Sequence, residues 1–119
     1  MSRARQFVGN LGEQAACAAL EAKGYQVLSR NYRVRGGELD IVCERDGTLV
    51  FCEVKTRTSA VFGIGEEAVT FAKQRRLRRL ALEYLRREGV RAGEIRFNVI
   101  AVDVADGIVA QLRHLEAAF

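Results

Sequence analysis

Apolar positions near the start of the chain recur at helical spacing and then change to strand-like alternation. Ala16, Cys17 and Leu20 share one face, with Glu13 at its head. They predict a helix over residues 10–23, capped by Asn10, with Glu13 at the third helical position and Gly24 as the stop. A short strand follows over 25–33 and Gly36-Gly37 breaks it. Strands over 37–44 and 48–56 flank Asp46-Gly47, a strong two-residue hairpin signal. Residues 57–65 read as a loop. A second helix over 66–88 carries Leu77, Leu80, Ala81, Tyr84 and Leu85 as its buried stripe. Strands over 95–104 and 108–115, joined by Ala105-Asp106-Gly107, close the chain. The order α-β-β-β-α-β-β reads as an α/β fold, one mixed sheet flanked by helices, in a single domain over 1–119.

The hairpin places chemistry on one face. With Asp46 and Gly47 as the turn, Asp40 lies opposite Glu53 and Glu38 opposite Lys55. Strand side chains alternate, so these four project together, with Val42, Leu49 and Phe51 nearer the turn. Leu39, Ile41, Cys43, Val50, Cys52 and Val54 form an apolar opposite face that must be buried. Directly opposed like charges destabilise a strand pair, so two facing carboxylates need a counter-charge. A hard divalent cation supplies one, because Mg2+ binds through one or two carboxylates and keeps several waters. Lys55 is then placed to hold an attacking water or to stabilise charge developing on a phosphate. The plainer alternative is a charged ladder in which Lys55 neutralises one carboxylate. A one-residue register slip would put Asp40 and Glu53 on opposite faces.

Both helices turn polar on their inward sides. Tracing the second stripe back from Leu77 gives Gln74, Lys73 and Thr70, and Glu13 opens the first. These groups suggest one polar pocket shared with the carboxylates. Each also has a simpler role: Glu13 in a capping box with Asn10, Lys73 reaching to solvent, Gln74 bonding a backbone group.

Composition narrows the class. About half the residues are apolar (49%), enough for a core without staples. No apolar run approaches the ~20 residues that cross a bilayer. The basic start, Met1-Ser2-Arg3-Ala4-Arg5, lacks a signal-peptide core, so a cytoplasmic protein without membrane partners is expected. Three cysteines without a C-x-x-C spacing support neither a disulfide framework nor a zinc site and read as buried thiols. The net charge of +4 is uneven: eight basic residues from Lys73 to Arg91 face only Glu83 and Glu88. Such a stretch favours phosphate backbones, although charge runs on helices are also ordinary solvated faces. Arg75, Arg79 and Arg86 are expected on the far side of the second helix. His114 carries no functional signal.

Asp40 followed by Glu53-Val54-Lys55 resembles the D…E-x-K signature of the restriction-endonuclease-like superfamily. The likeness extends along the chain. It includes Gly12-Glu13-x-x-Ala16, Gly24-Tyr25, Arg30-Asn31-Tyr32-Arg33 and Gly37-Glu38-Leu39-Asp40-Ile41-Val42. It continues through Asp46-Gly47, Phe51-x-Glu53-Val54-Lys55-Thr56-Arg57, Phe62-Gly63, Glu67-Ala68-Val69, Lys73-Gln74-x-x-Leu77 and Arg96-Phe97. Together these resemble the bacterial YraN-like family, which is similar to archaeal Holliday-junction resolvases. The resemblance implies a restriction-endonuclease-like core, Asp40 and Glu53 as metal ligands, and Lys55 as catalytic lysine. It matches Glu13 and Gln74 to catalytic positions on the two helices. Leu39 stands where the superfamily's motif has proline.

Two functions are open on these grounds. One is an endonuclease using Mg2+ or Mn2+ on DNA, branched or structure-marked, with Glu38 supporting the ligands. Arg57, Lys73, Arg75, Arg76 and Arg79 are its candidate nucleic-acid contacts. The other is a nucleic-acid-binding module without catalysis. A homodimer would suit symmetric cutting of a branched substrate, by analogy.

Overall fold

The computed structural model describes residues 3–58, 69–91 and 93–119. Helix α1 (Arg3–Ala22) precedes β1 (Gln26–Val34), β2 (Gly37–Arg45) and β3 (Thr48–Thr58). Helix α2 (Phe71–Glu88) leads to β4 (Glu94–Ala105) and β5 (Ile108–Leu115). The strands form one sheet in chain order. β3 and β4 pair in parallel and the other neighbours are antiparallel. A parallel pair needs a crossover, and α2 lies in it. The architecture is the expected α/β one, a mixed five-stranded sheet with two helices in the order of a restriction-endonuclease-like core.

Each face of the sheet has its own core. Ala16, Cys17 and Leu20 of α1 pack on Ile41, Cys43, Val50, Cys52, Ile100 and Val102. Leu77, Leu80, Ala81 and Tyr84 of α2 pack on Val42, Leu49, Phe51, Phe97 and Val99. The interior strand β4 is therefore buried from Phe97 to Val104. Cys17, Cys43 and Cys52 are buried free thiols, as their apolar settings predict. Among the described residues no helix is long and apolar enough to cross a membrane.

Several boundaries differ from the sequence pattern. α1 begins at Arg3, because Val8, Leu11 and Ala15 continue its apolar stripe below Ala16. Asn10 is thus inside the helix and caps nothing. α2 begins at Phe71, with Thr70 as N-cap: its hydroxyl accepts the Lys73 N–H at 3.2 Å. The expected start at Glu66 lies outside the described residues, as do Phe62, Gly63, Glu67 and Ala68. β3 runs on to Thr58, so Arg57 is a strand residue and not a loop residue. Leu39 joins the α2-side core, not the face of Ile41. The alternation breaks between them, at Asp40.

Candidate functional site

The β2–β3 ladder runs from the turn to Ile41–Cys52 in the register that Asp46-Gly47 dictates. Asp40 and Glu53 would form the next rung, but backbone pairing stops there. Oδ2 of Asp40 instead accepts the Val54 N–H at 2.9 Å. On the other side, the β1–β2 ladder has Arg30–Ile41 and Tyr32–Leu39 but no Asn31–Asp40 pair. Asn31 sits there with a positive φ of 50°. The sheet is thus loosened around Asp40 on both sides, and this is where the candidate groups meet.

Asp40 and Glu53 are brought together as the hairpin predicts. Burial pushes the Asp40 carboxyl up to about 8, reinforced by the Glu53 charge, a hydrogen bond with the Glu53 carboxyl, and the Glu13 charge. The Val54 N–H pulls the other way. Glu53 is buried, and Nζ of Lys73 lies 2.5 Å from its Oε2. Lys73 therefore pairs inward, while its side chain stays partly exposed. Its place is set by the Thr70 cap, which starts α2 beside this carboxylate. Lys55 projects on the Glu53 side of β3, in register with Ala101 of β4.

Glu13 approaches from the α1 side. Gly12 makes this possible: a Cβ there would stand 1.9 Å from Oγ1 of Thr56. Only a residue without a side chain lets α1 lie this close to β3. Burial raises the Glu13 pKa, a hydrogen bond from the Asn31 side chain lowers it, and the Glu38 charge raises it again. A capping box is excluded, since Glu13 is well inside α1.

Other candidates stand differently. Glu38 pairs across the sheet with Arg33, not with Lys55, and its carboxylate is 3.4 Å from the Arg33 guanidinium. The ladder has ended before Glu38 could face Lys55. Gln74 donates from Nε2 to the Val69 carbonyl at 2.9 Å, the simpler of its two roles. Arg75, Arg76 and Arg79 are exposed on α2. Arg57 is mostly buried, with Nη2 3.3 Å from Oδ1 of Asp103.

Three participants escaped the sequence reading. Asp103 is 1% exposed and lies between Arg57 and Arg113, whose Nη2 is 3.7 Å from its Oδ2. Lys55, Ala101 and Arg113 form one row across β3, β4 and β5. The available signal was a lone acid in the apolar run Val99-Ile100-Ala101-Val102-Asp103-Val104. Asn31 is the third. Its motif was visible, but its partner Glu13 depends on where α1 lies.

The fold and this geometry define a class: an α/β protein of restriction-endonuclease-like topology, with an acidic pair where two strands part and lysines beside it. The chain belongs to the uncharacterised protein family UPF0102, whose family model matches residues 12–102. That span includes each candidate from Glu13 to Arg79. The chain is 45% identical over 120 residues to the UPF0102 protein of Pelotomaculum thermopropionicum, covering 100% of both chains. It is 46% identical over 112 residues to that of Symbiobacterium thermophilum, covering 94% of this chain and 95% of the relative. With the UPF0102 protein of Geobacter sulfurreducens the identity is 42% over 118 residues, covering 99% and 92%.

Proposed function

We propose that this protein is a metal-dependent endonuclease that hydrolyses phosphodiester bonds in DNA, branched or otherwise structure-marked. The observation that carries the reading is the Asp40–Glu53 pair. Two carboxyls are held against each other, one with its pKa raised to about 8, at a break in the sheet. Burying such a pair costs stability, and perturbed acids of this kind concentrate at functional sites.

The donor set fits Mg2+ or Mn2+. Among the described residues no three His, Cys, Asp or Glu side chains form a ready cage. A hard cation that keeps most of its waters needs only one or two carboxylates. When bound, such a cation supplies positive charge at the scissile phosphate and acidifies a water. Asp40 and Glu53 would hold it, with Glu13 reaching it through water. Asp40 must release its proton to do so. Lys55 would donate to the attacking water and orient it for in-line displacement. Lys73 neutralises Glu53 beforehand and is close enough to turn to a phosphate oxygen. Gln74 braces the first turn of α2, from which Lys73 extends. Glu38 acts through its charge on Glu13.

Calorimetric titration of Mg2+ and Mn2+ into the wild type and Asp40→Asn/Glu53→Gln tests the reading. Saturable binding to the wild type alone is expected, and identical heats in both would remove the metal from this pair. Glu53→Gln and Lys55→Ala should each abolish cleavage with the fold intact. Undiminished cleavage by both would sink the mechanism.

The Lys73–Glu53 ion pair favours a second reading, because it neutralises the carboxylate without a metal. A non-catalytic nucleic-acid-binding module would bind regardless of Mg2+. Charge reversal at Arg75 and Arg79 would then weaken binding more than Lys55→Ala.

A further inference from the structure

A second set of like charges converges away from the carboxylates. Arg35 and Gly36, in the turn between β1 and β2, meet Arg79, Glu83 and Arg86 of α2 around a cavity of about 490 Å3. Arg79 and Arg86 therefore face this turn, whereas the helical pattern put them on the far side of α2. The Arg79 guanidinium rests on the turn itself. Its nitrogens lie 3.1 and 3.2 Å from where a Cβ of residue 36 would stand. Arg86 holds both carboxylate oxygens of Glu83 through Nη2.

Three guanidinium groups against one carboxylate leave this cavity with an excess of positive charge. Elements distant in sequence bring them together, and like charges so placed repel unless an anion lies among them. Arginine suits one kind of anion above others, because its planar fork matches phosphate oxygens. The cavity also has a fixed relation to the carboxylate centre. β2 starts at this turn and reaches Asp40 four residues after Gly36. At strand rise that is about 13 Å, a distance that a nucleic-acid backbone covers within a few nucleotides.

We propose that the cavity between the β1–β2 turn and α2, walled by Arg35, Arg79 and Arg86, is a phosphate anchor for the nucleic-acid backbone a few nucleotides from the bond held at the carboxylates. This rests on the DNA reading above and names the surface that would hold the flanking strand. Glu83 limits the anchor by occupying Arg86.

The test is fluorescence anisotropy of labelled duplex and four-way-junction DNA across a salt series, with divalent metal chelated. Arg35→Gln/Arg86→Gln should weaken binding about tenfold at low salt and lower the salt slope by about one to two. Glu83→Gln should tighten binding. Lys23→Gln/Arg96→Gln, which removes two cations at the opposite end of the sheet, should leave the slope as it is. An unchanged slope in Arg35→Gln/Arg86→Gln, or an equal fall in the control pair, overturns the anchor while leaving the carboxylate reading intact. Failure of the wild type to bind either DNA overturns the anchor and the DNA reading together. Normal anchoring without metal uptake at Asp40 and Glu53 overturns only the endonuclease.

Discussion

Val54 donates its backbone N–H to Oδ2 of Asp40 at 2.9 Å, immediately past the last rung of the β2–β3 ladder. The side chain takes over a bond that a strand carbonyl would otherwise accept, so a partly buried N–H stays satisfied where the strands part. Asp40 is thereby fixed against Glu53, whose charge and hydrogen bond add to burial in holding its proton.

That arrangement makes stability fall with pH in the metal-free protein. A carboxyl at about 8 when folded stands against ~3.9 unfolded, so the folded state holds the proton more tightly. Its contribution is full below the unfolded value and is lost as pH rises through the folded one. Asp40→Asn removes the titration and keeps an acceptor for Val54. Between about pH 5 and pH 9, the wild type should lose on the order of 2–5 kcal/mol relative to this variant. Urea unfolding of both proteins across that range is the measurement, and parallel curves would show that Asp40 titrates normally.

Lys73 stands where a cation would have to compete for Glu53. Lys73→Met keeps the apolar stem and leaves a buried carboxylate without its partner. Without metal it should lower stability by about 1–3 kcal/mol, discounted for the lysine's partial exposure. Saturating Mg2+ should restore more stability to Lys73→Met than it adds to the wild type. Thermal unfolding with and without Mg2+ reads this directly. An equal response in both proteins would mean that lysine and metal do not share Glu53.

Gly12 sets how closely α1 approaches β3. Gly12→Ala would place its Cβ 1.9 Å from Oγ1 and 2.9 Å from Cβ and Cγ2 of Thr56, so the helix must move. A loss of about 1–3 kcal/mol is expected, as for other overpacked contacts. A double-mutant cycle with Thr56→Ala should show coupling above about 0.5 kcal/mol. Additive effects would place the strain elsewhere. Because Glu13 follows Gly12, the same variant should weaken Mg2+ binding, which calorimetry would detect.

The sequence by itself determined the element order, the hairpin register and the stop of α2 before Gly89. These depend on local rules: alternation along strands, helical spacing, and turn residues. Asp46 and Gly47 both adopt positive φ, and that turn alone sets Ile41 against Cys52 and brings Asp40 towards Glu53. Only the tertiary structure decided where the pattern fails and which distant groups meet. Alternation put Leu39 beside Ile41, but Asn31 and Asp40 leave the ladder and Leu39 packs under α2. Lys73 on Glu53, Arg57 and Arg113 on Asp103, and Arg79 over Gly36 each join elements far apart in the chain. No periodicity encodes such pairs, because they depend on how each helix lies across the sheet, and that follows from the packing of all the layers together.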